Sequence, residues 1–239
     1  MRLDLNADVA ESFGRWRLGD DDALLPLLTS ANVACGFHAG DARTIRETVT
    51  RCAALGVVVG AQVSYRDLAG FGRRPMSPDA ADLEADVLYQ LAAVDGLARV
   101  AGVRARYVKP HGALYHRVLD DDEQAAALVA AVTAWDADAG VLTQPGELAR
   151  QAAAAGLTVV LEAFADRGYT AGGRLVPRSS PGALLTDPEA AAEQAVRLAA
   201  EGRFGSLCVH GDTPGAPLVA AAVRAALVGA GHEIAPFRP

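Results

Sequence analysis

Aromatic side chains are scarce in this sequence of 239 residues, with 6 Phe, 5 Tyr and 2 Trp, so its core has to be built from small and branched side chains. Ala, Val and Leu supply most of a hydrophobic fraction of 51%, which suffices for a sizeable core and excludes a disordered chain. Cysteine is also rare. Cys35, Cys52 and Cys208 form no C-x-x-C pair and no even-numbered set, which excludes a disulfide framework and suits a reducing compartment. The plainer reading of all three is as small buried hydrophobes. Positive charge is in deficit: a formal net charge of −7 leaves no basic footprint for nucleic acid or an anionic membrane. No apolar run reaches membrane-spanning length, and Asp4 brings acid too early for a secretory signal, so the expected location is the cytoplasm. No Pro/Ser/Gly-rich or charge-dense linker divides the chain, which reads as one domain over residues 1–239.

What is present is an alternation of strand and helix. Short strands are expected over residues 3–6, 31–35, 57–61, 106–108, 140–143, 157–161 and 206–209; the run over 57–61 is continuously apolar, the signature of a strand buried on both faces, as in parallel sheets. Between them lie helical patterns. One runs from Ala42 to Leu55, started by Asp41 as N-cap and stopped by Gly56. The longest opens at Pro78-Asp79 and carries Leu83, Val87, Leu91, Val94, Leu97 and Val100 at helical spacing. Ala-rich helices follow near residues 123–134, 147–155, 188–200 and 216–228. No G-x-G-x-x-G turn follows the first strand. About seven strand-helix repeats therefore favour a seven-stranded, distorted, TIM-like (β/α) barrel over a doubly wound sheet.

Polar clusters sit where the apolar runs end, and strand C-terminal ends converge on one face in such folds, which predicts a single polar site and an enzyme. In the first strand, alternation sends Asp4, Asn6 and Asp8 to one side, the barrel interior, where carboxylates need a metal, a cation or a shared proton. The alternative is that they cap a loop. His38 and His111 each follow a strand beside glycine and are the strongest candidates for chemistry, with His210 a third. His116 and His232 lie in helical or terminal segments and are set aside. Lys109 either neutralises a developing oxyanion or pairs with Asp4, Asp8 or Glu162; both readings put it in the site. Arg73 and Arg74, in a glycine-bearing loop, suit bidentate clamping of a carboxylate or phosphate, or else form a solvated charged loop. Glu162, Asp166 and Arg167 form a further cluster, and Arg174 and Arg178 follow in a Gly-rich loop able to close over substrate.

The segments Asp4-Leu5-Asn6-Ala7-Asp8, Thr29 to Asp41 (TSANVACGFHAGD), Gly70-Phe71-Gly72-Arg73-Arg74, Lys109 to Tyr115 (KPHGALY), Glu162 to Arg167 (EAFADR) and Val209-His210-Gly211-Asp212 together resemble the LamB/YcsF family. They occur in order from Asp4 to about Gly215. The resemblance implies a (β/α) barrel related to polysaccharide deacetylases. It implies ATP-dependent opening of 5-oxoproline to glutamate, with ATP and Mg as cosubstrate and with the B and C subunits of a 5-oxoprolinase as partners. Two departures stand out: Gln62-Val63 where many members carry His-Pro, and Ala7 and Ala10 where Cys and Gly are usual. The related deacetylases bind a divalent metal through one Asp and two His. A metal here would draw on Asp8, His38 and His111 without help from position 62, and Gln is a poor zinc ligand, so a metal stays open.

Opening an unactivated lactam near neutral pH requires a better electron sink at the carbonyl oxygen, which phosphorylation by ATP would supply. Water would then attack with Asp8, His38 or His111 as general base, while Lys109 and one of Arg73, Arg74 or Arg167 stabilise negative charge. The sequence has no G-x-x-x-x-G-K-S/T loop, so ATP would bind through another geometry or on a partner subunit. Two other classes remain open. A metal-dependent carbohydrate or amide deacetylase suits the Asp/His set, and a non-catalytic subunit that presents substrate would retain the core.

Overall fold

The structure is a computed structural model that describes residues 1–237. Seven parallel strands close into a ring: β1 (Arg2–Val9), β2 (Ser30–Ala34), β3 (Val58–Val63), β4 (Ala105–Pro110), β5 (Gly140–Thr143), β6 (Thr158–Phe164) and β7 (Ser206–Val209), with β7 pairing back onto β1. The helices are α1 (Asp21–Leu24), α2 (Ala42–Leu55), α3 (Ala80–Val100), α4 (Gly112–Arg117), α5 (Asp122–Trp135), α6 (Glu147–Ala154), α7 (Pro188–Ala200) and α8 (Ala216–Gly229). The expected seven-stranded barrel is the observed one. Among the described residues, no helix is long and apolar enough to cross a membrane.

Local chemistry sets the boundaries. Asp41 accepts from the backbone N–H of Arg43 and Thr44 to start α2, and Gly56 ends it at φ 69°, as N-cap and left-handed C-cap physics predict. Four strands run further than the sequence suggests: β1 to Val9, β3 to Val63, β4 to Pro110 and β6 to Phe164. Their C-terminal stretches carry Asp8, Gln62, Lys109 and Glu162, which an apolar-run criterion reads as loop. These side chains point into the barrel, whose interior here is polar. The two-residue strand β8 (Glu233–Ile234), beside β1, and the short helices α1 and α4 have no counterpart in the sequence reading; elements of this length carry too little periodicity to read.

The core is divided. The apolar majority, including Leu3, Leu5, Ala7 and Val9 on the outer face of β1, packs between strands and helices. The inner face carries Asp4, Asn6, Asp8, Ser30, Asn32, Gln62, Lys109, Glu162 and Ser206, all buried. At the N-terminal end of the strands Tyr107 fills the barrel, its hydroxyl donating to Asn32 Oδ1 at 2.6 Å and its ring meeting Phe237 at 4.8 Å. With that end plugged, polar access is left to the C-terminal mouth.

Gly60 makes room for Tyr107. A Cβ at position 60 would lie 2.1 Å from the ring of Tyr107, which is fully buried. Gly60→Ala is expected to cost about 1–3 kcal/mol and to lower Tm by several degrees. A thermal melt unchanged by the substitution would show that Tyr107 does not occupy the barrel as described.

Candidate functional site

The site is built as a polar column from the barrel floor to its mouth. At the floor Asp4 Oδ1 accepts from Thr29 Oγ1 and Ser30 Oγ at 2.6 Å each, and Oδ2 accepts from Ser206 Oγ. One layer up, Asn6 Oδ1 accepts from Asn32 Nδ2 at 2.7 Å and from Lys109 Nζ at 3.2 Å. Lys109 is 2% exposed, and its Nζ lies 2.9 Å from Glu162 Oε2, 3.1 Å from Cys208 Sγ and 3.4 Å from Asp8 Oδ1. Burial works against its charge, but Asp8, Cys208 and Glu162 keep the ammonium well above its ordinary pKa. Burial raises Glu162, and Lys109 opposes the rise.

Above this column two imidazoles lie face to face. His38 and His111 stack with centroids 4.2 Å apart, and Phe71 meets both edge-on. Their proximity depends on two glycines in the left-handed region: a Cβ on Gly72 (φ 66°) would strike Ser64 Oγ and His38 Cβ, and one on Gly112 (φ 62°) would sit 2.3 Å from the Gly72 carbonyl oxygen. Burial pushes His38 down to about 4, against a hydrogen bond to Gln62. His111 falls well below its ordinary value through burial and then through His38 and nearby arginines. Both rings are therefore neutral near neutral pH.

Ala10, where glycine is usual in the family resembled, adopts φ 59°, a conformation costly for a residue with a Cβ. The turn, held by the Ala10 N–H donating to Asp21 Oδ2 at 2.8 Å, brings Glu11 into the mouth. Glu11 Oε1 lies 3.8 Å from His111 Nε2. Burial raises its carboxyl well above the usual range, with Asp8 and Asp212 adding to the rise. One ligand atom each from Glu11, His38 and His111 falls within 4.8 Å of the others. Asp8, expected in that set, stands outside it, its Oδ1 engaged by Asn32 and Lys109.

On the opposite wall His210 and Asp166 form a dyad. Asp166 Oδ1 lies 2.9 Å from His210 Nδ1, Oδ2 accepts from the His210 backbone N–H at 2.8 Å, and Phe164 stacks on the imidazole. Against the effect of burial, His210 holds Asp166 below its ordinary value.

A cavity of about 250 Å³ opens between these walls and reaches Asp8, Lys109, His111, His210, Arg73 and Arg167. Of the other residues singled out from sequence, His38 lies behind His111, Asp166 behind His210, and Asn6 and Glu162 lie in the column beneath. Arg74 is not brought to the site. It pairs with Asp67 and its side chain is 67% exposed, because the turn at residues 70–73 sends consecutive side chains to opposite sides. A third guanidinium at the cavity, beside those of Arg73 and Arg167, is that of Arg178, from the loop between β6 and α7. Arg174, in the same loop, turns outward to Asp120. Tyr115 and His116, the latter set aside on sequence grounds, also line the cavity; the short helix α4 directly after the His111 turn brings both there, and the adjacent KPHG run is the signal available for them.

Residues 3–239 match the LamB/YcsF family. The chain belongs to the LamB/YcsF family. This LamB/YcsF chain is 54% identical to the protein of Streptomyces avermitilis named as the A subunit of 5-oxoprolinase, over 98% of this chain and 99% of that protein. It superposes on the lactam utilization protein of Thermus thermophilus with a TM-score of 0.93 and 44% identity, covering 99% of this chain and 100% of the other. A family 4 carbohydrate esterase from Streptomyces lividans, 16% identical with a TM-score of 0.50 over 98% of this chain and 91% of its own, shares the fold.

Asp4 generates a pH dependence. Burial pushes its carboxyl up to about 6 from an ordinary 3.8, against three hydroxyl donors. Between these values the folded state binds a proton that the unfolded chain does not, so this contribution to stability is fully present in acid and lost as pH rises through about 6. Urea midpoints of wild type and Asp4→Asn are expected to diverge in favour of wild type from about pH 7 to about pH 4.5; parallel curves would mean that Asp4 titrates as an ordinary carboxylate.

Proposed function

We propose that this chain is the A subunit of an ATP-dependent 5-oxoprolinase, a single barrel domain over residues 1–239 that works in the cytoplasm with B and C partner subunits. Its reaction is the hydrolytic opening of 5-oxo-L-proline to L-glutamate. The observation that carries the reading is the end-to-end similarity to proteins of that name, in a chain whose cavity has the size and polarity for a small lactam acid.

The chemistry follows from the side chains around the cavity. Asp166 holds Nδ1 of His210, which leaves Nε2 as the nitrogen that takes a proton from the attacking water and later returns one to the lactam nitrogen. The second lone pair-bearing wall, His111 over His38, is kept neutral by burial and is suited to accept a hydrogen bond from the water. Lys109, fixed by Asp8 and Glu162, stabilises negative charge that develops on the carbonyl oxygen or on the phosphoryl group placed there by ATP. The ATP-binding surface is assigned to the assembled complex with Mg, since this sequence has no G-x-x-x-x-G-K-S/T motif.

A divalent ion, which the deacetylase-like fold implies, fits the residues present. Gln62 Oε1 only accepts, so His38 Nε2 carries the proton at 3.1 Å, and the buried Nδ1 atoms of His38 and His111 have no hydrogen-bond partner among the described residues. Glu11, His38 and His111 would hold such an ion, which when bound supplies Lewis-acid polarisation of a carbonyl. The same cluster is what favours a metal-dependent deacetylase as the second reading.

The test is glutamate release from 5-oxoproline by this chain, with and without ATP and the two partner subunits. Release only from the complex with ATP supports the proposal. No release under any condition, together with stoichiometric metal in the purified chain, supports the deacetylase instead. In the active complex His210→Ala is expected to lower kcat about 10²–10⁴-fold with an unchanged circular dichroism spectrum; wild-type turnover would remove His210 from proton transfer.

A further inference from the structure

The cavity mouth carries an arrangement that the reaction above leaves unused. Asp212, in the turn after β7, holds guanidiniums from two separate loops on one carboxylate: Arg73 Nη2 lies 2.6 Å from Oδ2, while Arg178 Nη1 lies 2.7 Å from Oδ2 and Nη2 lies 3.0 Å from Oδ1. Both arginines line the cavity. Arg73 is further fixed over the Phe71 ring at 4.7 Å. The loop bearing Arg178 is tied down by Arg167, which donates to the carbonyls of Ala183 at 3.0 Å and Val176 at 2.7 Å.

Each guanidinium has five N–H donors, and Asp212 takes one from Arg73 and two from Arg178, so most donors of the pair remain. The guanidiniums hold Asp212 well below the usual carboxylate range despite burial, so it stays ionised and keeps the pair together at any working pH.

We propose that Arg73 and Arg178, spaced by Asp212, form a clip that reads the carboxylate of the lactam substrate and so selects amino-acid lactams over plain ones. This rests on the substrate reading given above. A carboxylate attached next to the lactam nitrogen takes the unused donors of both arginines, and the ring then extends inward between His111 and His210. Asp212 is a positioning residue: it fixes the separation of the two guanidiniums and does not touch the reacting atoms. Arg178 is a specificity residue from a loop that the sequence places far from Arg73.

The experiment compares 5-oxoproline with pyrrolidinone, the same ring without its carboxylate, in the reconstituted complex. Calorimetric binding to the complex without ATP is measured alongside turnover. Wild type is expected to favour 5-oxoproline about 10- to 100-fold in KM and in binding, the scale of a charge-assisted contact. Arg178→Lys, which keeps the charge and loses the fork, and Asp212→Asn are expected to raise the KM for 5-oxoproline about tenfold, leaving kcat within about twofold and the KM for ATP unchanged. Each variant is accepted only with a wild-type melting profile, and the lysine variant keeps the test open if Asp212→Asn fails to fold. A rise confined to the KM for ATP would assign the clip to a phosphate and overturn the proposal, as would variants that keep full discrimination or a wild type that treats both lactams alike. If the complex releases no glutamate, carboxylate-dependent binding that is lost in Arg178→Lys still supports the clip while the catalytic reading fails; absence of binding overturns both.

Discussion

A single buried ammonium organises the inside of this barrel. Lys109 Nζ is enclosed by Glu162, Asp8, Asn6 and Cys208, and each carboxylate at that depth is tolerable only because the cation is there. Removing one partner of such a set characteristically costs about 3–5 kcal/mol, because the other charge is left buried and unpaired. The network therefore does more than add stability. It dictates which side chains of β1, β4 and β6 face inward, and it fixes the upper rim of the barrel, where Asp8 meets the cavity.

This division of labour between two faces of the same strands explains how a chain poor in aromatics supports both a core and a polar site. Outward residues of β1 such as Leu5, Ala7 and Val9 join the shell of Ala, Val and Leu against the helices. Inward residues of the same strand, Asp4, Asn6 and Asp8, enter the hydrogen-bonded column. The column is closed below by Tyr107 and narrows to a cavity above. There, burial keeps His38 and His111 neutral while leaving His210 paired with an ionised Asp166. Two histidine walls of different electrostatic character thus arise from environment, with identical side-chain chemistry.

Much of the fold is legible because its signals are local. The caps at Asp41 and Gly56, the helical spacing in α3, and the apolar runs of β5 and β7 depend only on neighbours in the chain, and they stand where the sequence places them. The errors share one cause. Strand ends at Asp8, Lys109 and Glu162 come out too short because polarity reads as loop, whereas a polar barrel interior makes polarity a property of strand. Arg74 is paired with Arg73 by adjacency in sequence, yet successive residues of a tight turn diverge, and Asp67 captures Arg74. Glu11 escapes the metal-like set because its approach to His38 and His111 depends on the left-handed turn at Ala10.

By itself, then, the sequence determined the alternation of strand and helix, the closed parallel architecture, the family, and the convergence of Asp8, Lys109, His111 and His210 at one end, because period, capping and strand-end position are carried by short stretches of chain. Only the tertiary structure decided which of those polar groups face each other: the His38–His111 stack, the His210–Asp166 dyad, and the meeting of Arg73 with Arg178 on Asp212. Such pairings join residues tens to hundreds of positions apart, and they are set by barrel closure, by glycines that let backbones approach, and by the demand that every buried charge find a partner.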